Sequence, residues 1–203
     1  MIGILSYGLG NVSAFVNIYK KLGIECKLVE ELEDLIDIDR LILPGVGAFD
    51  NAMKSFNDSG LRREVDRLVL VEKVPILGVC VGLQIMANSS EEGILGGLGW
   101  IDATVVKFDS ESLPKGDPLP HMGWNNLKVL VDDPLLRGLD DSRFYYLHSF
   151  FVVPKNKKEV IGSAIYGEEF CCVIRNDNIY GMQCHPEKSH SFGIRFLKNF
   201  AEI

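Results

Sequence analysis

The sequence predicts an α/β fold in which a mostly parallel central sheet is flanked by helices. Three observations support this prediction. Short apolar segments alternate with amphipathic ones before Ser90, glycine-rich turns follow several apolar segments, and 203 residues suffice for one hydrophobic core. Beyond Ser90, glycine and proline punctuate shorter segments, so we expect additional antiparallel strands in the C-terminal half. No repeat, linker or low-complexity tract is visible, and residues 1–203 are expected to form one domain.

The N-terminal half begins with a short buried strand, predicted at residues 2–6. A helix is predicted next, because apolar side chains recur at three- and four-residue spacing in Val12, Phe15, Val16, Tyr19 and Leu22. Asn11 is the predicted N-cap of this helix and Gly23 the predicted C-cap. Strands are predicted at residues 24–29 and 40–43, followed by two helical patterns, through Phe49, Met53 and Phe56 and through Leu61, Val65 and Leu68.

The C-terminal half contains five further predicted strands, at residues 104–108, 143–147, 159–164, 170–175 and 178–183. The last two are joined by a predicted turn at Asn176 and Asp177. A closing helix is predicted from the spacing of Phe192, Phe196, Leu197 and Phe200.

Composition narrows the class of partner. A net charge of −7 and a pI near 5.1 disfavour nucleic acid or an anionic membrane as a partner and favour a small soluble ligand. The N-terminus has no targeting signal and no apolar run approaches membrane-helix length, so a cytoplasmic location is expected. The five cysteines are odd in number and lack metal-type spacing, so we expect reduced thiols, no metal site and no cofactor.

One cysteine lies between two glycines where an apolar strand is predicted to become a helix. In residues 78–82, Cys80 occupies the centre of a Gly-x-Cys-x-Gly segment, which is the pattern of a nucleophile elbow with sulfur in place of oxygen. Such a sharp turn crowds the backbone, so Gly78 and Gly82 must be small. The alternative is an inert buried cysteine, which is common for a free thiol.

A thiol nucleophile needs a base and a group that orients the base. His185 ends a predicted strand and lies two residues before Glu187, a separation that in an extended segment places both side chains on one side. Of the other histidines, His121 and His148 are compatible with structural roles, and His190 is expected to start the last helix. His185 and Glu187 are therefore the candidate base and orienting group.

The first turn suggests a competing interpretation. Gly8 and Gly10 form a Gly-x-Gly loop after a strand, and Glu30 follows the next strand, as in dinucleotide-binding folds. Ser13 replaces the third glycine of that motif, and two-glycine turns are common after a first strand. The dinucleotide interpretation is therefore the weaker one.

The chain resembles the class I (triad) glutamine amidotransferases, which have a flavodoxin-like core. The resemblance covers the whole chain and rests on seven segments in one order: Tyr7–Asn11, Pro44–Gly47, Gly78–Gln84, Ser90–Glu92, Pro120–Asn125, Tyr146–Ser149 and Gln183–Ser189. It implies that Cys80 attacks the amide carbon of L-glutamine, that His185 carries the proton to ammonia, and that Glu187 orients His185.

The resemblance also implies the surrounding site. The backbone N–H groups of Val81 and Val46 would form an oxyanion hole, and glutamine would contact Gly47, Gln84, Glu92 and Ser149, with Glu92 at its α-ammonium. Within the family, the chain is similar to glutaminase subunits that deliver ammonia to a (β/α)8-barrel cyclase in histidine biosynthesis. In those subunits, the positions that match Asn11, Trp124, Tyr145 and Lys188 form the interface with the cyclase.

Three residues depart from the family pattern: Leu9, Ala48 and Phe150, of which Phe150 removes a hydroxyl near the substrate pocket. Three alternatives stay open at this point. The chain could serve a related amidotransferase that makes amidinated lipopolysaccharide sugars, it could be a non-catalytic binding module, or it could be a partner-independent cysteine hydrolase or redox thiol.

Overall fold

A computed structural model describes residues 1–113 and 118–203 and contains a central sheet of eight strands. In spatial order the strands are β2 (Cys26–Val29), β1 (Ile2–Leu5), β3 (Arg40–Gly45), β4 (Ile76–Cys80), β13 (Ile179–Met182), β12 (Glu168–Asn176), β11 (Val160–Tyr166) and β8 (Lys128–Val129). The pairings from β2 through β13 are parallel, and those from β13 through β8 are antiparallel. The predicted α/β class and the antiparallel C-terminal extension are confirmed.

Helices cover the sheet with large apolar side chains. They are α1 (Val12–Leu22), α2 (Phe49–Asp58), α3 (Arg62–Asp66), α4 (Val81–Ile85) and α5 (His190–Ala201). A π-helical turn, Arg67–Val71, continues α3 toward β4. Helix α1 packs on α5, where the Tyr19 hydroxyl donates to the Leu197 carbonyl at 3.1 Å, and α2 packs on α4. The helical side chains that are fully buried include Phe15, Phe49, Phe56, Phe196 and Phe200.

Two small sheets lie beside the C-terminal half of the central one. The first contains β10 (Phe150–Pro154), β6 (Ala103–Lys107) and β5 (Ser89–Ser90). The second pairs β7 (His121–Asn126) with β9 (Arg143–His148) in antiparallel register, which places His121 opposite His148 and Trp124 opposite Tyr145. Strands β5, β7, β8 and β10 are additional to those predicted from the sequence.

The two ends of α1 can be compared with the cap residues predicted from the sequence. Gly23 adopts a left-handed conformation at the C-cap (φ 68°), as predicted, because the chain must reverse there. Asn11 occupies the N-cap position, but its side chain makes no capping hydrogen bond. It accepts instead from the Ser13 hydroxyl at 3.1 Å, so Asn11 is the N-cap by position, as predicted, without a side-chain cap.

The described residues contain neither a helix that could span a membrane nor a cluster of metal-binding side chains. None of their helices is long and apolar enough to cross a membrane. Residues 1–113 and 118–203 also contain no cluster of three or more histidine, cysteine, aspartate or glutamate side chains that could hold a metal ion.

Candidate active site

The nucleophile candidate lies at a strained turn at the carboxyl edge of the sheet. Strand β4 ends at Cys80 and α4 begins at the next residue, so no loop separates them. Cys80 has φ 55° and ψ −114°, a backbone conformation that residues other than glycine rarely adopt. Strain of this kind costs on the order of 1–3 kcal/mol and persists where surrounding structure enforces it. The Cys80 backbone therefore has the conformation expected of a nucleophile elbow.

Close backbone packing explains the glycines around Cys80. A Cβ on Gly82 would lie 1.9 Å from the Leu43 carbonyl oxygen, and one on Gly45 would lie 2.2 Å from the Gly82 nitrogen. Gly78 has a similar constraint, since its Cβ would lie 2.8 Å from the Leu83 backbone. These contacts hold the end of β3 against the first turn of α4. The segment of Val46 and Gly47 that follows β3 consequently lies beside Cys80.

His185 and Glu187 form a buried pair. Nδ1 of His185 lies 2.9 Å from Oε1 of Glu187, and each side chain is only 3% exposed. The expected extended path between them is wrong, because Pro186–Lys188 form a 3-10 turn. The contact forms nevertheless, since His185 itself is extended (φ −105°, ψ 90°) and the turn brings Glu187 back toward it. The His185 N–H also donates to the Tyr145 carbonyl at 2.9 Å, which fixes the backbone there.

Cys80 lies next to His185, where the sulfur acts as a hydrogen-bond partner of the imidazole in setting its pKa. Burial by itself lowers the pKa of His185, but hydrogen bonds to Cys80 and Glu187 outweigh burial and raise the pKa to about 9. An imidazole with this pKa readily accepts the proton of a neighbouring thiol. The resulting imidazolium lies between the sulfur of Cys80 and the carboxylate of Glu187, which is the arrangement a triad requires.

A cavity of 320 Å³ opens above this pair. Most of the predicted site residues line it, namely Val46, Gly47, Cys80, Val81, Gln84, Glu92, Ser149, His185 and Lys188. Glu187 lies behind His185, and Asn11, Trp124 and Tyr145 lie outside the cavity lining. Of the described residues that line the cavity, Glu92 is the only one with a carboxylate.

Gln84 forms part of the buried wall of the cavity. Its Nε2 donates to the Phe150 carbonyl at 3.0 Å and to Oε1 of Gln183 at 3.2 Å. Gln183 in turn places its Nε2 3.9 Å from Sγ of Cys80. Gln183 was not predicted as a site residue, although its position directly after the strand that leads to His185 is the signal that would have identified it.

The two histidines for which the sequence allowed structural roles are buried together. Nδ1 of His148 donates to the Phe150 carbonyl at 2.8 Å, which leaves Nε2 to accept from Nδ1 of His121 at 3.2 Å. Burial lowers the pKa of His148 to about 3, against the opposing effect of its bond to Phe150. His148 is therefore neutral at physiological pH. It also lines the cavity, a position that the sequence did not indicate.

Three predicted interface residues form a continuous surface beside the cavity. Trp124 is 40% exposed and stacks on His190 with ring centroids 5.2 Å apart. Tyr145 lies 6.0 Å from the Trp124 ring, and Nζ of Lys188 lies 5.8 Å above the Tyr145 ring. Asn11 is exposed at the N-terminal end of α1. Trp124 is consequently a surface residue and not part of the core.

Cys80 at a strained strand-to-helix turn, next to an imidazole paired with a carboxylate, is the arrangement typical of thiol-dependent acyl-transfer enzymes on a mostly parallel sheet. Comparison with family models identifies the particular family. Residues 4–203 match the model for glutamine amidotransferase class-I, and the chain belongs to that family.

Comparison with known proteins gives full-length relatives. The chain is 50% identical to the imidazole glycerol phosphate synthase subunit HisH of Bdellovibrio bacteriovorus and 44% identical to the subunit of the same name from Leptospira borgpetersenii, each alignment covering 100% of both chains. Among solved structures, PurLQS from Thermotoga maritima is similar with a TM-score of 0.74 and 17% identity, covering 99% of this chain and 97% of that one. At this identity the last likeness concerns the fold alone.

Proposed function

We propose that the chain is the glutaminase subunit of an imidazole glycerol phosphate synthase. It hydrolyses L-glutamine to glutamate and ammonia and delivers the ammonia to a cyclase that forms imidazole glycerol phosphate and AICAR in histidine biosynthesis. The observation that carries the proposal is the contact of Cys80 with the His185–Glu187 pair in a chain that matches HisH subunits along its whole length. The lipopolysaccharide-sugar alternative is not favoured, because the relatives carry the HisH name.

The reaction begins with proton transfer from the Cys80 thiol to His185. The thiolate then attacks the side-chain amide carbon of glutamine, and the carbonyl π electrons move to oxygen. His185 donates its proton to the amide nitrogen as the carbon–nitrogen bond breaks, which releases ammonia and leaves a γ-glutamyl thioester on Cys80. A water molecule, deprotonated by His185, attacks the thioester, and glutamate leaves as the sulfur recovers the proton. Glu187 stabilises the imidazolium at both steps.

Two backbone N–H groups are assigned to the oxyanion of the tetrahedral intermediate. Val81 supplies one at the start of α4, and Val46 supplies the other from the segment after β3. Loss of one such donor costs about 2.7–4 kcal/mol of transition-state stabilisation in enzymes of this kind. Gly47, the residue after Val46, adopts φ 90°. Residues with a side chain rarely adopt this backbone conformation.

Glutamine recognition is assigned to the cavity walls. The single carboxylate of Glu92 is complementary to the α-ammonium of a free amino acid, and Gly47, Gln84 and Ser149 complete the contacts. Phe150 lines the same wall, so any contact there is apolar or made by its backbone.

Ammonia is useful only where a second enzyme consumes it, which is why a partner is part of the proposal. We assign the partner-facing surface to Trp124, Tyr145 and Lys188, together with Asn11, and the partner to a (β/α)8-barrel cyclase. The Lys188 side chain is exposed at the rim of the glutamine cavity, so docking there would cover the cavity mouth. As a biosynthetic enzyme subunit, the chain is expected to act in the cytoplasm.

The proposal is tested by measuring glutamate formation by the purified chain alone and in the presence of the cyclase. We expect slow turnover alone and a strong acceleration in the complex, with ammonia transferred to the cyclase product. A complex that does not hydrolyse glutamine, or a chain that turns glutamine over rapidly without any partner, would contradict the proposal.

A further inference from the structure

Backbone N–H groups shortly after Glu92 donate hydrogen bonds to the carboxylate of Asp50. The Ile94 N–H lies 3.1 Å from Oδ1 and 3.0 Å from Oδ2 of Asp50, and the Leu95 N–H lies 3.1 Å from Oδ1. Asp50 is the second residue of α2, far from this segment in the chain. Three contacts to one carboxylate therefore fix the path of the backbone next to Glu92.

A reciprocal bond connects the same two segments. The Phe49 N–H, at the first residue of α2, donates to Oε2 of Glu92 at 2.8 Å. The Glu92 N–H donates to the Ser90 hydroxyl at 3.1 Å, which restrains the other side of the turn. Each segment thus contributes one carboxylate and backbone donors to the other. Oε1 of Glu92 is the carboxylate oxygen not used in the bond to Phe49.

We propose that Asp50 is a positioning residue for glutamine binding. It does not line the cavity, and it acts by holding the Glu92 turn so that the Glu92 carboxylate faces the α-ammonium of the substrate. This inference rests on the proposed glutaminase function and adds to it a residue that no motif of the sequence indicated. Because Asp50 touches neither the reacting atoms nor Cys80, its loss weakens binding of glutamine and leaves the chemical step unchanged.

Gly93, the residue after Glu92, lies directly against the Asp50 carboxylate. A Cβ at Gly93 would lie 1.9 Å from Oδ1 and 2.5 Å from Cγ of Asp50. An alanine at this position would push the Asp50 carboxylate away from the backbone N–H groups that donate hydrogen bonds to it. Replacing either residue therefore breaks the same contact, from the helix or from the turn.

The test uses the complex with the cyclase and the variants Asp50→Ala, Gly93→Ala and the double variant. We expect each single variant to raise KM for glutamine roughly tenfold, since hydrogen bonds to a charged group are lost, with kcat changed less than about twofold. The double variant should equal Asp50→Ala alone, because the three atoms nearest to a Cβ at Gly93 all belong to the Asp50 carboxylate. If Asp50→Ala does not fold, Gly93→Ala tests the same contact from the turn, and Asp50→Asn, whose amide keeps one acceptor oxygen but no charge, should raise KM less than the loss of the whole contact does.

A second readout separates positioning from general damage. Iodoacetamide alkylates a thiolate but carries no ammonium group, so its rate with Cys80 should be the same in all variants. Matched controls are Asp58→Ala, at the exposed far end of α2, and Gly96→Ala, where the nearest atom to a new Cβ is 4.0 Å away. These should preserve the wild-type KM.

The outcomes distinguish this inference from the function on which it rests. Wild-type hydrolysis with an unchanged KM in Asp50→Ala overturns the role of Asp50 and preserves the glutaminase function. A rise in KM accompanied by equally large falls in kcat and in the alkylation rate also overturns it, since such a pattern indicates a structural role. A wild-type complex that neither binds nor hydrolyses glutamine overturns both.

Discussion

The imidazole Nδ1 of His185 lies 2.9 Å from Oε1 of Glu187 in a site where both side chains are 3% exposed. The second carboxylate oxygen of Glu187 is buried and has no hydrogen-bond partner among the described residues. His185 is consequently the main group that compensates the buried charge of Glu187. The same charge favours the protonated form of His185, which the proposed reaction forms twice.

Glu187→Gln is expected to lower kcat at least about a hundredfold with KM changed only a few-fold, because an amide cannot stabilise the imidazolium. The measurement is steady-state glutamine hydrolysis by the complex. Glu202→Gln, which removes an exposed carboxylate paired with Lys198, is the control and should have wild-type kinetics. A Glu187→Gln variant with kcat within twofold of wild type would exclude the orienting role of Glu187.

The raised pKa of His185 gives a pH prediction with a definite sign. Its folded-state pKa of about 9 lies above the value of about 6.5 expected for an unfolded chain. The stabilisation from its protonated form is therefore fully present below pH 6.5 and is lost as the pH rises through 9. NMR titration of the His185 ring should show a midpoint near 9, lowered in Glu187→Gln. A wild-type midpoint near 6.5 would refute the charged pair.

The packing of α4 on β3 predicts the effect of a single methyl group. Gly82→Ala would place Cβ 1.9 Å from the Leu43 carbonyl oxygen, and neither atom can move aside freely, since the oxygen is part of the backbone and the Cβ is bonded directly to it. We expect the free energy of unfolding to fall by at least about 2 kcal/mol in chemical denaturation, with loss of glutaminase activity. Gly96→Ala is the control, because its new Cβ has no neighbour closer than 4.0 Å. Equal stability of the two variants would show that the elbow is not tightly packed.

The assigned partner surface predicts a binding defect. Trp124→Ala removes an exposed aromatic anchor that stacks on His190, and it should weaken cyclase binding roughly tenfold or more, as loss of a central tryptophan does at interfaces. Val71→Ala is the control: Val71 is 73% exposed but precedes β4, at the end of the sheet opposite Cys80. The affinity can be measured by titration calorimetry. Equal affinities would place the cyclase elsewhere.

Local sequence patterns could predict those parts of the site that are formed by a few neighbouring residues. The Gly-x-Cys-x-Gly segment and the His185–Glu187 pair could be identified because a strained turn and a base with its orienting group each span at most five positions. The closing helix was predicted as well. Phe192 in that helix is nevertheless 40% exposed, since periodicity indicates a face but not how far the neighbouring structure extends over it.

Contacts that depend on strand register or on distant loops could not be predicted. His121 meets His148 only because β7 and β9 pair in one register, and the β7 sequence contains Gly123 and polar residues that do not indicate a strand. The contact between Asp50 and the turn after Glu92 joins segments separated by more than forty positions, and no local pattern marks it.

The central claim is that the Cys80 sulfur is the nucleophile of glutamine hydrolysis and serves no other step. The most direct measurement compares Cys80→Ala with wild type in the cyclase complex, using glutamine or ammonium salt as the nitrogen source. We predict that glutamine-dependent synthesis and glutamate formation disappear while ammonia-dependent synthesis continues at the wild-type rate. Glutamate formation by Cys80→Ala at an undiminished rate would contradict the account.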